Sequence, residues 1–400
     1  TRGGIKAKMG TRSESMRNGL KAYDADTHVH ASAEALEQYM SAAGKKLLPE
    51  LEDFKIPIKS TICGAVLEPP YQHRYRLAPL VGGWGDDPPR YLGEAGPRVK
   101  SERRSQTFMG TKLPVEDGEW VAKSRLTDMD EEGVDVHLLV PGIARGHQDP
   151  AVDLEFIRAN HRYLNDFCET APHRLKSLLT LDARFIEESV EEIKAWGSTS
   201  WAVGIWVHLP LGFPMDHPTL EPIWAAVEEE GLCVVHHSFS DGYPGYRDLW
   251  SNPFMGRTAS HPWAGMRAVA SFLGAGIMDR YPNIRFSILE SGFGWLPFWA
   301  ARMQDQVGYM GYVPELKHTM NEYMSSGRFF ASIVLHEGPE MVNMVSNMLG
   351  DQLLMYSSDY PHPETRFPGS VDLVQGWKAL DQDLLSKIMW DNPVKCFGEP

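Results

Sequence analysis

The sequence predicts an α/β fold, a (β/α)8 TIM barrel with a long insertion after the first strand. Eight short apolar segments alternate with helical patterns along the 400-residue chain. Apolar runs of this kind are typical of parallel strands that are buried on both faces, with helices crossing between them. Their number and regular alternation favour a closed barrel. No Gly-x-Gly-x-x-Gly motif opens a helix after an early strand, which argues against an open dinucleotide-binding sheet.

The first strand is the segment around Asp26 and His28, and seven more strands follow. Each is rich in aliphatic and aromatic side chains, and helical patterns or turn residues separate it from the next. These seven strands are predicted over residues 134–140, 175–181, 201–208, 232–237, 284–290, 329–335 and 353–359. The predicted helices are one that ends at Gly133, then 152–170, 187–196, 220–230, 264–279, 296–309 and 340–349, and a last helix over 383–396.

Residues 44–123 interrupt this pattern directly after the first strand. The segment is rich in Pro, Gly, Arg and Trp and contains Pro-Pro pairs. A connection of this length without regular structure is uncommon in a compact domain unless it has a function. We predict a lid or a subunit contact at the mouth of a single barrel domain over residues 21–400. Residues 1–20 are basic and rich in Gly and Ser, which predicts a flexible N-terminal arm.

The charge balance restricts the partners of the protein. The formal net charge is −14, and no Lys/Arg-rich block lies in the body of the chain. Nucleic acid and anionic membranes attract basic surfaces, so we predict neither as a partner. The four cysteines are far apart, and no apolar run approaches the length of about 20 residues that spans a bilayer. These features indicate a cytoplasmic protein with a small-molecule substrate, which forms a homo- or hetero-oligomer through its insertion.

Histidines and an aspartate lie at the two ends of the predicted barrel. Side chains two residues apart in a strand point to the same face, so Asp26, His28 and His30 share one side of the first strand. The first and last strands of a closed barrel are neighbours, and Asp359 ends the last one. Imidazole and carboxylate groups are common ligands of divalent metals. The spacing therefore predicts a metal site made by His28, His30 and Asp359, with Asp26 beside it.

Other strands also end in polar residues, at the end of the barrel that carries the active site in this fold. One of His236 and His237 should point inward, and His237 is preferred as a ligand because it shares a face with Val235. Glu290 ends the sixth strand, and it is predicted as a ligand or catalytic residue. The alternative for Glu290 is a salt bridge to an arginine such as Arg302.

Three further histidines are candidates for ligands of a second metal ion or for residues that contact the ligands of the first ion or the substrate. His208 ends the fourth strand, whereas His261 and His362 are predicted in the loops after the fifth and eighth strands. Arg247 and Arg366 are candidates for binding a substrate carboxylate, because a guanidinium group pairs with a carboxylate through two hydrogen bonds. A structural hydrogen bond or a surface salt bridge is the alternative for each of these residues.

Seven motifs along the chain carry a family resemblance. They are Asp26-Thr27-His28-Val29-His30, Arg125-Leu126-Thr127-Asp128-Met129-Asp130, Leu232-Cys233-Val234-Val235-His236-His237, Arg280-Tyr281-Pro282-Asn283-Ile284, Glu290-Ser291-Gly292-Phe293-Gly294-Trp295, Ser358-Asp359-Tyr360-Pro361-His362 and Asn392-Pro393. Together they resemble the metal-dependent amidohydrolase superfamily, in its amidohydrolase-2 branch with aminocarboxymuconate-semialdehyde decarboxylase. The resemblance covers residues 22–40 and 125–400 and does not extend to residues 44–123.

The resemblance implies one divalent ion, usually zinc, which His28, His30, His237 and Asp359 would hold. It also reveals a departure from the family pattern. Decarboxylases of the branch look as if they use a histidine at the end of the sixth strand as acid/base, and this sequence has Glu290 there. We therefore expect Glu290 and Asp359 to be the catalytic residues.

Three functions remain open at this point. The first is cleavage of a C–N or C–C bond in a small organic acid or amide, by hydrolysis or decarboxylation with metal-activated water. In the second, Glu290 with His208 or His261 completes a second metal site, as in dinuclear Mn/Fe or diiron oxygenases of the same fold, which 2-aminoisobutyrate monooxygenase exemplifies. The third is a non-catalytic subunit that keeps a structural metal and supports a catalytic partner.

Overall fold

The computed structural model covers most of the barrel and part of the insertion. It describes residues 17–58, 72–77, 108–210, 213–237, 253–310 and 314–400, without the side chains of 253–257 and 260. Arg247, one of the two predicted substrate arginines, lies outside these ranges, as do residues 1–16 of the predicted arm.

Eight parallel strands form the barrel. They are β1 Tyr23–Val29, β4 Val136–Pro141, β5 Leu175–Asp182, β6 Ala202–His208, β7 Cys233–His237, β8 Arg285–Leu289, β9 Phe329–Ser332 and β10 Leu354–Met355. Each strand pairs with the next one in this series. Two more strands, β2 Lys55–Pro57 and β3 His73–Tyr75, form a separate antiparallel pair inside the insertion. The (β/α)8 barrel predicted from the sequence is confirmed.

Backbone hydrogen bonds close the barrel between β1 and the segment that follows β10. The amide of Asp359 donates to the carbonyl of Asp26 (3.1 Å), and the amide of His28 donates to the carbonyl of Tyr360 (2.6 Å). The two ends of the barrel therefore meet, as the sequence predicted. The last strand is shorter than the predicted 353–359, because regular pairing with β9 covers only the two residues of β10. Asp359 thus lies beyond the strand and not at its end.

Helices surround the barrel. Their bounds are α1 Ala33–Tyr39, α2 Leu48–Leu51, α3 Ala122–Glu132, α4 Pro150–Glu169, α5 Ile186–Trp196, α6 Glu221–Glu230, α7 Pro253–Gly274, α8 Ile277–Arg280, α9 Leu296–Tyr309, α10 Met320–Ser325, α11 Gly338–Leu349, α12 Ser370–Gln375, α13 Gln382–Ser386 and α14 Asn392–Phe397. Gly133 and Gly231 end α3 and α6 with φ angles of 81° and 67°, which let the backbone turn into the next strand. Within the described ranges, no helix is both long and apolar enough to cross a membrane.

The segment after β7 differs from its prediction. Helix α7 begins at Pro253 and not at 264, so His261 lies on a helix and not in a loop. Pro262 concealed this part of the helix in the sequence, since a proline normally ends a helix at the preceding residue. Helix α12 was not predicted, because six residues are too few for a periodic pattern to be visible.

The strands are buried on both faces, which explains their unbroken apolar runs. In β4, Leu138 packs into the cluster inside the barrel, and Leu139 packs outward against the helices. Neither leucine is exposed to solvent. Cys396 and Phe397 of α14 join the inner cluster beside Tyr23, the first residue of β1. The C-terminal helix therefore covers the amino-terminal end of the barrel and leaves the other end open for a site.

Part of the insertion lies against the barrel mouth. The amide of Met109 donates to the carbonyl of Pro363 (2.8 Å), and the amide of Thr111 donates to the carbonyl of Phe367 (3.0 Å). Both acceptors belong to the segment that follows Asp359, at the carboxyl end of the barrel. The roles of residues 44–123 as a lid or as an oligomer contact stay predictions.

The end of the predicted N-terminal arm is bound to the barrel. Arg17 donates through Nη1 to the carbonyl of Glu131 on α3 (2.8 Å), and its guanidinium pairs with Asp372 on α12. These contacts tie Arg17 to α3 and α12, and the flexible arm over residues 1–20 stays a prediction.

Candidate metal centre

Three buried side chains from β1 and β7 meet at the barrel mouth. The Nε2 atoms of His28 and His237 lie 3.7 and 3.5 Å from Oδ1 of Asp26. The two imidazole rings meet edge to face, with their centroids 5.0 Å apart. One ligand atom from each of the three residues lies within 4.8 Å of the other two. These residues form the first metal group.

A second group shares His28 with the first. Nε2 of His28 lies 2.9 Å from Oδ1 of Asp359, and Nδ1 of His362 lies 4.0 Å from the same oxygen. The ring centroids of His28 and His362 are 4.2 Å apart. His28, Asp359 and His362 again place one ligand atom each within 4.8 Å of one another. His28 is thus central to both metal groups.

The donor set fits a divalent cation. Oδ1 of Asp26 is buried and makes no hydrogen bond to the residues that the structure describes. Burial lowers the pKa of His28 well below its usual value, and the nearby His362 and His237 lower this pKa further. The imidazole of His28 is therefore neutral at pH 7 and keeps a lone pair for a metal. Carboxylate oxygens and neutral imidazoles in one cluster suit Zn²⁺, Mn²⁺ or Fe²⁺.

Glu290 directly follows β8 and lies between two histidines. Its Oε2 is 3.1 Å from Nε2 of His237, and its Oε1 is 3.4 Å from Nδ1 of His261 on α7. Arg302, the alternative partner considered from the sequence, is exposed on α9, whereas Glu290 is buried. The structure therefore brings Glu290 to the edge of the first metal group.

Both predicted catalytic residues have an unusual backbone. Glu290 and Asp359 have φ angles of 50° and 60°, in the left-handed region that non-glycine residues rarely adopt. Residues in this conformation cluster at functional sites, where surrounding contacts hold them. Here the amide of Glu290 donates to Oγ of Ser332 (3.1 Å), and the amide of Asp359 donates to the carbonyl of Asp26 (3.1 Å). These bonds link the two strained residues to neighbouring strands.

A second carboxylate holds the turn that follows Glu290. Glu337 accepts hydrogen bonds from the amides of Phe293 (3.2 Å) and Gly294 (2.7 Å). Gly292, between Glu290 and these amides, has a φ of 69°, and a Cβ atom there would lie 2.7 Å from Oε1 of Glu337. The turn therefore requires glycine at this position, and Glu337 determines its path.

The structure keeps His30 apart from both metal groups. His30 follows the last residue of β1, and its Nδ1 lies 3.3 Å from Oε1 of Glu119, a buried residue of the insertion. Its ring centroid is 6.3 Å from that of His28. A Cβ atom at position 142 would lie 1.9 Å from the His30 ring, so Gly142 makes room for the ring. That His30 binds a metal stays a prediction.

His208 and His236 are buried near the metal groups but belong to neither of them. His208 packs 4.4 Å from the ring of Trp206, and Trp206 lies 5.1 Å from His237. Neither ring nitrogen of His208 makes a hydrogen bond within the described part of the chain. His236 precedes His237 in β7 and so faces the opposite side of the strand. Burial lowers the pKa of His236 to about 3.

A cavity of about 600 Å³ opens onto the candidate metal centre. Asp26, Glu290 and Asp359 contribute to its lining, and Arg366 lies on the same lining; that Arg366 binds a substrate stays a prediction. Among the described residues, the rest of the lining is partly apolar, with Met109, Pro262, Trp295, Ile333, Val334, Leu335 and Met341, and partly polar, with Thr258, His261, Ser291, His336, Glu337, Ser357, Ser358 and Glu364. The cavity therefore combines buried acidic groups and one arginine with a wall that is partly apolar.

A comparison with family models identifies the family of the chain. The amidohydrolase family model, amidohydrolase-2, matches residues 25–398 of the chain. The chain belongs to the amidohydrolase family. Membership of this family makes the chain an enzyme, as its motifs predicted, and the two metal groups are where a divalent cation could bind. No curated protein matches the sequence.

Solved structures with the same fold include an amidohydrolase from Mycobacterium avium subsp. paratuberculosis K-10. It has 15% identity and a TM-score of 0.66, over 95% of this chain and 98% of that chain. The 5-carboxyvanillate decarboxylase from Novosphingobium aromaticivorans DSM 12444, complexed with manganese and 4-hydroxy-3-methoxy-5-nitrobenzoic acid, has 17% identity and a TM-score of 0.62, over 95% and 97%. The 2,6-dihydroxybenzoate decarboxylase from Rhizobium has 14% identity and a TM-score of 0.62, over 94% and 98%.

Three residues of this amidohydrolase's site were not found from the sequence. Met109 and Glu119 lie in the insertion, where no periodic pattern assigns a position to any residue. Glu337 acts by accepting hydrogen bonds from backbone amides, and no residue spacing marks a contact of that kind. A glycine-rich turn after Glu290 was the one visible sign that its backbone needs support.

Proposed function

We propose that the protein cleaves a C–C or C–N bond in a small organic acid or amide, with one divalent ion and with Glu290 as the acid/base group. One observation supports this most directly. The Glu290 carboxylate lines the cavity and lies 3.1 Å from His237, a member of the first metal group. A substrate that reaches the ion from the cavity therefore also reaches Glu290.

The proposed ligands are Asp26, His28, His237 and Asp359. Their contacts converge on His28, which lies 2.9 Å from Asp359 and 3.7 Å from Asp26. A bound divalent ion supplies Lewis-acid chemistry, because it polarises a carboxyl or carbonyl oxygen and makes water more acidic. Zinc is the first choice for this ligand set, and manganese, which is bound in the 5-carboxyvanillate decarboxylase structure, is the second.

Glu290 would move one proton in either reaction. In amide hydrolysis, its carboxylate takes a proton from the attacking water and gives it to the leaving nitrogen. In decarboxylation, the C–C bond breaks, its electron pair stays on the substrate carbon, and protonated Glu290 donates its proton to that carbon as CO2 leaves. His261 and His237 flank the carboxylate and would keep it directed at the reacting atoms.

The cavity lining supports a substrate with an apolar body and an acidic group. Trp295 and Met341 offer apolar surface, and the guanidinium of Arg366 would pair with a carboxylate. Hydroxybenzoic acids combine these two features, and both decarboxylases of the same fold act on acids of this class by name. We therefore place hydroxybenzoic acids first among candidate substrates and N-acyl amino acids second.

Metal analysis and a substrate panel test the proposal. The purified protein, loaded with Zn²⁺ or Mn²⁺, should bind one ion per chain, and a chelator should abolish turnover until the ion is restored. Release of CO2 from hydroxybenzoic acids would assign decarboxylation, and release of an amine from N-acyl amino acids would assign hydrolysis. Failure to bind either ion would overturn the ligand set.

Glu290→Gln tests the acid/base role. Glutamine keeps the shape of the side chain but cannot exchange a proton, so we expect kcat to fall about 10²- to 10⁴-fold with the metal content unchanged. Glu340→Gln is the matched control, because Glu340 is exposed on α11. If both variants turn over substrate equally well, Glu290 is not the acid/base group.

A dinuclear oxygenase is the second candidate, and one observation favours it. His28, Asp359 and His362 form a second metal group beside the first, and Glu290 with His261 adds further ligands. Two redox-active ions would find enough ligands here. Two Fe or Mn ions per chain together with substrate-dependent O2 consumption would favour this function, whereas one redox-silent ion with O2-independent turnover would favour the first.

A further inference from the structure

We propose that Arg125 is a positioning residue, which joins the first strand of the barrel to the segment after the last strand and so holds the ligands His28 and Asp359 together. Arg125 and Asp128 belong to a motif of the family resemblance that the proposed chemistry does not use. The inference rests on the proposed ligand set and assigns a role to residues outside the cavity.

Arg125 connects both sides of the barrel closure. It is fully buried on α3 and donates through Nη1 to the carbonyl of His28 (2.7 Å). Its Nε donates to Nδ1 of His137 on β4 (3.2 Å). Its guanidinium carbon lies 4.7 Å from the ring centroid of Tyr360, the residue that follows Asp359. One planar side chain thus contacts the backbone of one ligand and the neighbour of another.

Asp128 holds the other end of the same aromatic ring. The hydroxyl of Tyr360 donates to Oδ2 of Asp128 (2.6 Å). The same oxygen accepts the amide of Val115 (2.7 Å), where the insertion returns to the barrel. Since Arg125 and Asp128 are nearly one turn apart on α3, they hold Tyr360 between them as a bracket. We call Arg125, Asp128 and Tyr360 the closure bracket.

The barrel needs this bracket because its closure has little regular pairing. β10 contains only two residues, and the ligands come from opposite sides of the closure, 2.9 Å apart at His28 Nε2 and Asp359 Oδ1. Burial of a guanidinium is unfavourable by itself, and burial lowers the pKa of Arg125. Lysine would keep the charge but could not form two directed hydrogen bonds and stack on Tyr360 together.

Arg125→Lys tests the inference, with Arg174→Lys as the matched control. Arg174 likewise donates to backbone carbonyls, those of Val134 (2.8 Å) and Asp135 (3.1 Å), but it is only partly buried and these acceptors lie at the opposite end of the barrel. Two quantities are measured: the affinity of the metal-stripped protein for Mn²⁺, and hydrogen exchange in peptides that span residues 22–30 and 353–362 without metal.

We expect Arg125→Lys to weaken Mn²⁺ binding by about tenfold and to speed exchange in both peptides, whereas Arg174→Lys changes neither. Tyr360→Phe, which removes only the hydroxyl bonded to Asp128, should change both quantities in the same direction by a smaller factor. It keeps the test decisive if Arg125→Lys fails to fold. Unchanged exchange and affinity in these variants would overturn the bracket. Faster exchange in a protein that binds no metal even as wild type would support the bracket and refute only the proposed ligand set.

Discussion

The two halves of the metal centre are built in different ways. Asp26 and His28 lie within β1, where every residue is buried. The strand pairs with β4 through Tyr23, Asp24 and Thr27–Val29, and its register shifts between Asp24 and Thr27, where Asp26 lies. Glu290 and Asp359 lie beyond the ends of β8 and β10, and both have positive φ angles. Regular pairing with β4 therefore holds His28. Asp359 depends on a backbone bond from its amide to the carbonyl of Asp26, and Glu290 depends on a bond from its amide to Oγ of Ser332.

Within the second half, Glu290 is the proposed acid/base group and Asp359 is a proposed metal ligand, so changes behind the two residues should have different effects. A ligand inside a strand keeps its direction as long as the strand is paired, because side chains alternate with a fixed period. A residue beyond the strand end depends on long-range contacts, such as those of Ser332 with Glu290 and of Tyr360 with Asp128. Changes behind Glu290 should therefore alter turnover while metal binding persists, whereas changes behind Asp359, a proposed ligand, should also weaken metal binding.

The largest effect is expected from the first half. His28→Ala removes the residue that belongs to both metal groups, so the protein should lose its bound ion and its kcat should fall by about 10³-fold or more. Elemental analysis and turnover are measured together. The control is His173→Ala, since His173 is exposed before β5. Full metal content in His28→Ala would show that His28 is not needed for binding of the ion.

A smaller effect is expected from a change in the contacts that support the turn after Glu290. Glu337→Gln leaves one acceptor oxygen for the two amides of Phe293 and Gly294, so the turn after Glu290 should loosen. We expect kcat to fall about tenfold with metal content unchanged, in line with other residues that orient a metal site from behind. Glu340→Gln on the same helix should have no effect. A loss of metal in Glu337→Gln would mean that the support of Glu290 and metal binding are not independent.

The smallest effect concerns backbone strain. Because Glu290 has a φ of 50°, Glu290→Gly should have a free energy of unfolding about 1 kcal/mol higher than Glu290→Ala. At Glu191, in the middle of α5, glycine is unfavourable, so Glu191→Gly should have a free energy of unfolding lower than that of Glu191→Ala by a similar amount. Urea denaturation of the metal-free proteins measures both pairs. The same order at both positions would contradict strain at Glu290.

Much of the barrel was predictable because its strands are buried on both faces and its helices are long enough to show a period. The same reasoning placed His28, His237 and Asp359 near one another, since neighbouring strands end at the same rim. It failed where local signals mislead or are missing. Pro262 concealed the start of α7 and put His261 in a loop, and the insertion gave no sign that Glu119 contacts His30.

The sequence alone predicted the barrel, the types of candidate ligand and the end of the barrel at which they gather. These features follow from burial and strand alternation, which are local, periodic properties. The folded structure was needed to show that Asp26 joins His28 and His237, that His30 turns to Glu119, and that Arg125 contacts both His28 and Tyr360. These contacts join residues far apart in the chain and beyond the ends of strands, where no period constrains a side chain. Their geometry depends on the packing of the whole barrel, and so it appears only after folding.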